Sequence, residues 1–174
     1  PGPDYASGYG RIDAQASVDL VKDGKVREDV ISEDGEWDWY SVQVTSSLQP
    51  LKVTLAWDDW EGTVNANTAL VNDLHLRLYY GSKWGDPDYY AWTLDRFNPS
   101  DDADADTYNF KDPLEQIVVN NPTPGTYFIA VWGWEVPNAP QKYSLVSEHF
   151  PLDSCDEAFP WMLFTPAFTK KKGE

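Results

Sequence analysis

Residues 70–80, LVNDLHLRLYY, carry the most regular alternation of side chains in this chain. Successive side chains of a β-strand point to opposite faces of the sheet, so this alternation predicts a strand with one face in a core. The opposite face is expected to be polar and outward, with His75 as a surface histidine. The core face would hold Leu70, Asn72, Leu74, Leu76 and Leu78, and the outward face Val71, Asp73, His75 and Arg77.

Seven further segments have strand composition and are separated by turn sequences such as EDGE at 33–36 and NNPTPG at 120–125. No helical period interrupts them. Eight strands without interleaved helices predict an all-β fold, an antiparallel two-sheet jelly-roll β-sandwich over residues 24–150. The seven segments are 25–31, 37–45, 51–57, 89–94, 114–121, 126–134 and 141–149.

A short N-terminal helix is predicted ahead of the strands. Asp13 has a side chain suited to a helix N-cap, and Gly24 suits the end of the helix. Between them, Ala14, Val18 and Val21 follow the i, i+4, i+7 spacing of one helical face. The chain is therefore expected to begin with one amphipathic helix that differs in kind from everything after it.

Residues 151–174 are rich in aromatic residues and proline, show no period, and end in the basic sequence KKKGE. We expect an irregular C-terminal extension there. The single cysteine, Cys155, lies in this segment. One cysteine excludes a disulfide within the chain and a structural zinc site built on several thiolates.

The charge of the chain limits its partners. Twenty-nine acidic residues against 13 basic ones give a formal net charge of −16. This sign repels phosphate backbones, so nucleic acid is not an expected partner. No stretch approaches the roughly 18 apolar residues of a membrane-spanning helix. Bound divalent cations, a saline habitat and plain solubility each remain as explanations for the excess of acids.

Five residues are candidates for a calcium site. Asp58 and Asp59 end one predicted strand, and Asn72 and Asp73 open the next. A strand end and the start of its antiparallel neighbour lie at the same edge, so these four side chains can converge. Glu115 begins another strand and can supply a bidentate carboxylate, the kind of oxygen ligand that Ca²⁺ prefers. The alternative is that these acids cap strand ends by accepting hydrogen bonds from turn amides.

The long segment 95–114 contains alternating aspartates at 102, 104 and 106. An EF-hand loop requires glycine at its sixth position, where this chain has Thr107, and the glutamate expected at position twelve is missing. The segment is therefore not an EF-hand. A second, looser calcium site and a solvated acidic loop tip both remain open.

The tryptophans divide into a core group and a surface group. Trp57 continues the apolar face of Leu51, Val53 and Leu55 and is expected in the core. A second group is expected on an outer surface, where exposed aromatic side chains would suit docking of another domain or stacking of a sugar. This group is Trp37, Trp39, Trp132 and Trp134.

Several motifs resemble one protein family. GYGRIDAQASVDLV at 8–21 resembles the segment that closes the catalytic domain of subtilisin-like serine proteases. The sequences LKVTLAWDD at 51–59, ALVNDLHLRL at 69–78 and the run 117–146 resemble the C-terminal β domain of subtilases from the alkaline-protease branch. These motifs occur in the family's order, and the similarity extends over about residues 5–148.

The resemblance implies a division of the chain and a function. Residues 1–23 would be the end of a subtilase catalytic domain, and residues 24–150 an accessory jelly roll that packs against it and stabilises it. Calcium binds to such domains in several family members, and the resemblance points to the WDD, VNDL and PLE sequences as the place for it. The parent would be a secreted, extracellular serine endopeptidase.

This chain itself is expected to be non-catalytic, with no catalytic residues. The glycine-rich motifs around the family's catalytic serine, histidine and aspartate are missing from it, and it contains no GxSxG or GTS sequence. The alternative function is a stand-alone extracellular binding module for a carbohydrate or a cell-surface protein.

Overall fold

The structure, a computed structural model, describes residues 2–66, 69–149 and 153–154. They form two packed antiparallel sheets with one short helix, which confirms the predicted all-β sandwich. All eight predicted strands are present. The elements are α1 Ala14–Lys22, β1 Val26–Ile31, β2 Trp37–Val44, β3 Leu51–Trp57, β4 Asp73–Tyr80, β5 Tyr89–Tyr90, β6 Leu114–Val119, β7 Gly125–Glu135, β8 Gln141–Ser147 and β9 Asp153–Ser154.

The strand order confirms the jelly roll. One sheet has the order β1-β8-β3-β6, and the other has the order β5-β4-β7-β2-β9. The first eight strands pair in a nested series, β1 with β8, β2 with β7, β3 with β6 and β4 with β5. This series is what results when one long antiparallel ribbon folds over into two sheets, as two Greek keys require.

The core lies between the two sheets and uses alternate residues of each strand. In β3 the side chains alternate between buried and accessible along Leu51–Trp57. Trp57 is buried, as predicted, and its indole nitrogen donates a hydrogen bond to the carbonyl of Asn72, 3.1 Å away. Other fully buried members are Ile31, Val44, Val53, Leu55, Leu74, Leu78, Ile129, Val131 and Leu145.

The helix α1 has the ends that the sequence predicts. The Asp13 carboxylate accepts a hydrogen bond from the Ala16 amide at 3.0 Å, and Gly24 turns the chain with a φ of +65°. A non-glycine residue rarely adopts that conformation, which explains the glycine. No residue of α1 is buried. Within the described residues, no helix has the length and hydrophobicity needed to cross a membrane.

The predicted irregular extension at 151–174 lies mostly outside the described residues. Its residues Asp153–Ser154 form the short strand β9, which pairs antiparallel with β2 opposite Ser41 and Tyr40. The extension therefore contributes at least one ladder contact to the edge of the five-stranded sheet.

Two tyrosines join the sheets at one end of the core. The hydroxyl groups of Tyr40 on β2 and Tyr143 on β8 lie 2.5 Å apart. Tyr143 donates to a carboxylate oxygen of Asp38 at 2.7 Å, and Tyr40 donates to Asp29 at 3.0 Å. Burial raises the pKa of both phenols, so both remain neutral donors at physiological pH. The network connects β1, β2 and β8 across the interior.

We predict that Tyr143→Phe lowers the free energy of unfolding by about 1–3 kcal/mol, because it removes a buried donor and leaves its partners unsatisfied. Urea unfolding of both proteins measures the difference. Tyr5→Phe is the matched control, because Tyr5 is exposed and should lose almost nothing. Equal effects of the two substitutions would show that the buried network contributes no net stability.

Candidate functional site

Both faces of β4 are buried, so the prediction of a polar, outward face with a surface histidine was wrong. His75 is 0% exposed, and Asp73, Arg77 and Tyr79 on the same face are also buried. The side chains of β4 do alternate between apolar and polar, but both faces of the strand are buried, each against a different part of the molecule. The apolar side faces the core between the sheets, and the polar side faces a second, aromatic layer.

Aromatic side chains from two other parts of the chain form this second layer. Trp132 and Trp134 project from β7, and Tyr108 and Phe110 come from the long segment before β6. The ring of Tyr108 stacks on His75 with centroids 4.9 Å apart, and Phe110 meets it edge-on at the same distance. The long segment 95–114 therefore covers part of β4 with Tyr108 and Phe110.

Arg77 keeps its charge under this cover by lying against aromatic ring faces. Its guanidinium carbon is 4.2 Å from the ring centroid of Trp132, 4.6 Å from that of Tyr108 and 4.7 Å from that of Trp37. The negative face of an aromatic ring attracts a cation most strongly where water is excluded. Arg77 therefore connects the aromatic side chains of β2, β7 and the long segment.

Two buried carboxyl groups lie beside His75. Its Nδ1 atom is 3.4 Å from Oε1 of Glu115 and 3.9 Å from Oδ1 of Asp73. The other Glu115 oxygen accepts a hydrogen bond from the Leu76 amide at 2.5 Å. β5 pairs with β4 at Arg77 and Leu78. Glu115, which belongs to the other sheet, satisfies a β4 amide just beyond that pairing.

Burial decides the protonation of this group. It raises the pKa of Glu115 well above its ordinary value. Burial, with a smaller contribution from Arg77, lowers the pKa of His75 from 6.5 to about 3. At neutral pH the imidazole is therefore neutral, and burial favours the protonated form of the Glu115 carboxyl, so both shifts disfavour an ion pair between the two groups.

Asp73 has the least satisfied carboxyl group of the set. Burial, with smaller contributions from the carboxylates of Glu135 and Asp59, raises its pKa from 3.8 to about 7. Among the described residues, its Oδ1 atom is buried without a hydrogen-bond partner. A buried carboxylate oxygen among other acids is an environment that favours either a proton or a bound cation.

The structure brings two of the predicted calcium ligands, Asp59 and Asn72, together by direct hydrogen bonds. Asp59 accepts from the amides of Val71 at 2.7 Å and Asn72 at 2.8 Å. The Asn72 side chain bonds the backbone of Asn138 through both its amide nitrogen and its oxygen. This is the geometry of the capping alternative, and it leaves both side chains little freedom to bind a metal.

The remaining predicted ligands are distributed around the same end of the sandwich. Asp58 is exposed, although its carbonyl accepts a hydrogen bond from Gln141. Glu115 is buried, 1% exposed, beside His75. Asp102, Asp104 and Asp106 are exposed in the long segment. The part of the chain that the structure describes contains no group of three or more acidic, histidine or cysteine side chains arranged to hold a metal.

Of the predicted ligands, Asp73 has a buried carboxylate oxygen without a hydrogen-bond partner among the described residues. Glu135, which was not among the predicted ligands, lies opposite Asp73 in the β4–β7 ladder and is exposed. Coordination of an ion at Asp73 would require the side chain of Asp58 or Glu135 to turn toward it.

The outward side of β2 and β7 carries what we call the aromatic face, composed of Trp37, Trp39, Phe128, Trp132 and Trp134. Trp37 stacks on Trp132 with centroids 4.7 Å apart and on Trp39 with centroids 5.8 Å apart. The interplanar angles are 14° and 13°. Trp134 is 46% exposed, and Trp37, Trp39 and Trp132 are half-buried. The four predicted surface tryptophans therefore share one surface.

No protein-family model matches this chain, and a search of curated proteins found no match. The function therefore has to be inferred from the geometry described above and from the resemblance in the sequence motifs.

We predict that Asp73→Asn changes the pH dependence of stability. A carboxyl whose pKa is raised on folding stabilises the folded state below its unfolded pKa, and this stabilisation is lost as the pH rises through the folded value of about 7. Without divalent cations, wild-type stability relative to Asp73→Asn should fall by at most about 1.4 kcal/mol per pH unit across this window.

Urea unfolding in chelator at about pH 5 and about pH 8 measures this difference. Asp104→Asn is the control, because Asp104 is exposed and should leave the pH dependence unchanged. A wild-type and Asp73→Asn difference that is the same at both pH values would mean that Asp73 ionises normally.

Proposed function

We propose that this chain is the non-catalytic accessory domain of a secreted subtilisin-like serine protease. Residues 1–23 would be the last part of the catalytic domain, and the jelly roll would stabilise the protease by packing against it. The observation that carries this proposal is α1, a well-capped amphipathic helix that buries none of its residues against the rest of the chain.

A helix of nine residues is too short to be stable alone, since isolated helices shorter than about 12–15 residues are marginal in water. Such a helix normally derives its stability from burying its apolar face. Here Val18 is 48% exposed and Val21 is 65% exposed. In the protease, the catalytic domain would provide the surface that covers the apolar face of α1.

The chemistry of the two histidines agrees with a non-catalytic role. His75 is fully buried and has a pKa of about 3, so it cannot exchange protons with a substrate near neutral pH. The Nε2 atom of His149 lies 3.0 Å from the carbonyl oxygen of Pro50 at the surface. Peptide hydrolysis would therefore be supplied by the polypeptide that precedes these residues in the protease.

Calcium would serve the same stabilising function at the Asp73 end of the sandwich. Asp73 and Glu135 would hold the ion, which would supply positive charge among carboxylates that otherwise repel one another. A cation beside the Asp73 carboxylate would compete with the proton that its raised pKa favours.

The geometry of the aromatic face favours the accessory role over binding of a carbohydrate. A sugar ring stacks on the open face of an aromatic side chain. Trp37 has Trp132 and Trp39 stacked against it, and Arg77 occupies further ring surface on Trp37 and Trp132. The rings therefore offer their edges to solvent more than their faces.

A protease that includes this chain and the residues encoded before Pro1 tests the accessory role. We predict that Val18→Ser with Val21→Ser lowers the temperature at which its peptidase activity is lost. The same pair should leave the unfolding of the isolated chain almost unchanged, because α1 buries nothing there. Activity assays after heating, with thermal unfolding of the isolated chain, measure both effects.

Leu48→Ser is the matched control, since Leu48 is an apolar residue outside α1, 90% exposed on the turn between β2 and β3. Its protease should inactivate at the wild-type temperature. The proposal fails if the longer protein has no serine peptidase activity, or if the double variant inactivates with the control.

We predict that millimolar Ca²⁺ raises the melting temperature of the metal-free chain, and that NaCl at equal ionic strength does not. A ligand at about 100 times its dissociation constant adds roughly 2.7 kcal/mol to the free energy of unfolding. The increase should be larger at about pH 8 than at about pH 5, because protons compete for Asp73. Thermal unfolding with EGTA and with added calcium measures it.

In this experiment Asp73→Asn should lose the calcium response, and Asp104→Asn should keep it. Melting curves that superimpose with and without calcium would leave the acids of this region as strand-end caps. That result would remove calcium from the proposal but would not affect the predicted docking of α1.

A further inference from the structure

Strand β9 brings the C-terminal part of the chain to the margin of the aromatic face. It pairs antiparallel with β2, with Ser154 opposite Tyr40 and Asp153 opposite Ser41. Each later residue along such a ladder lies beside an earlier residue of β2. An antiparallel continuation would therefore pass Trp39 and then Trp37, two members of the aromatic face.

The sequence after β9 is unusually apolar for a chain with a net charge of −16. It reads CDEAFPWMLFTPAF over residues 155–168, followed by three lysines at 170–172. Aromatic side chains near such a surface bury large apolar areas and pack edge-to-face or offset-stacked. The tryptophan edges on the aromatic face suit this kind of contact.

We propose that residues 157–168 of this same chain are the occupant of the aromatic face. The direction of β9 delivers them there, and their aromatic side chains match the surface in chemistry. They would cover the end of the face that contains Trp37, Trp132 and Trp134. A β9 ladder continued past Ser154 would reach the first residue of β2, Trp37, at this end.

The charges around the face agree with this occupant. The turn before β2 carries exposed Glu33 and Asp34, and exposed Glu135 follows Trp134 on β7. The Gly35 amide donates to the Gly133 carbonyl and the Gly133 amide donates to the Glu36 carbonyl. These hydrogen bonds hold the turn against β7, so the three acids border the same end of the face. The lysines at 170–172 would meet them after the aromatic residues have crossed the face.

Chymotrypsin digestion of the full chain tests the proposal. The enzyme cuts after aromatic residues that are not followed by proline, so Trp161, Phe164 and Phe168 report directly on access to the segment. In the wild-type chain these sites should be protected under native conditions. Trp37→Ser should speed their cleavage by about tenfold, because proteolysis follows the population of the undocked state. Mass spectrometry of the fragments identifies each cut.

Trp60→Ser is the control, because Trp60 is an exposed tryptophan on the loop after β3, away from the aromatic face. Its segment should be cut at the wild-type rate. If Trp37→Ser fails to fold, the double variant Trp161→Ser with Phe164→Ser is used instead. It leaves the sequence of β1–β9 unchanged, and it should lower the melting temperature of the full chain.

Three outcomes would overturn the proposal. One is rapid cleavage of the segment in the folded wild-type monomer. Another is a melting temperature that Trp161→Ser with Phe164→Ser leaves unchanged. The third is sedimentation showing a wild-type dimer that Trp37→Ser dissociates while the segment stays accessible, since the occupant would then be a second copy of the chain. None of these results bears on the role of α1.

Discussion

The constraint on which this structure depends is the burial of both faces of β4. A strand with Asp73, His75 and Arg77 on one face can be buried on that side only if each polar group is neutralised or paired. Burial lowers the pKa of His75 and so keeps its imidazole neutral, and aromatic ring faces lie against the Arg77 guanidinium. The second, aromatic layer over the five-stranded sheet follows from this requirement, and so does the folding of the long segment 95–114 back across β4.

Glu115 shows how the two sheets depend on each other at this point. It belongs to the edge strand of the four-stranded sheet, yet its carboxyl group satisfies the Leu76 amide and lies beside His75 in the other sheet. The short strand β5 leaves room for this contact. The Glu115 side chain therefore pairs an amide that the short edge strand leaves without a ladder partner, and burial raises the pKa of that carboxyl group.

The two ends of the chain have opposite relations to the sandwich. At the N-terminus, α1 is correctly capped but turns its apolar residues to solvent, as expected of an element whose packing partner lies elsewhere. At the C-terminus, β9 joins the edge of the five-stranded sheet beside β2. In our proposals, a catalytic domain covers the apolar side of α1, and the apolar sequence after β9 covers the aromatic face.

The sequence by itself determined the strands, the helix and the jelly roll. A two-residue alternation, turn sequences and an N-cap are local signals, and they are sufficient because the backbone geometry they specify is local. The positions of Trp57 in the core and of the aromatic residues of β2 and β7 on one surface follow from the same alternation. The prediction that Asp58, Asp59, Asn72 and Asp73 converge assumed that β3 and β4 are antiparallel neighbours, whereas the two strands belong to different sheets.

Only the tertiary structure decided which of these groups are buried and which are satisfied. Alternation in the sequence separates two faces of a strand but does not show what covers each face. The sequence therefore predicted an exposed His75, whereas Tyr108 and Phe110 cover it in the structure. In the same way, Asp59 is held by the amides of Val71 and Asn72, whereas Asp73 keeps an unpaired oxygen opposite Glu135. Burial and hydrogen-bond pairing depend on contacts with segments that are distant in sequence, and the local alternation of side chains contains no information about those contacts.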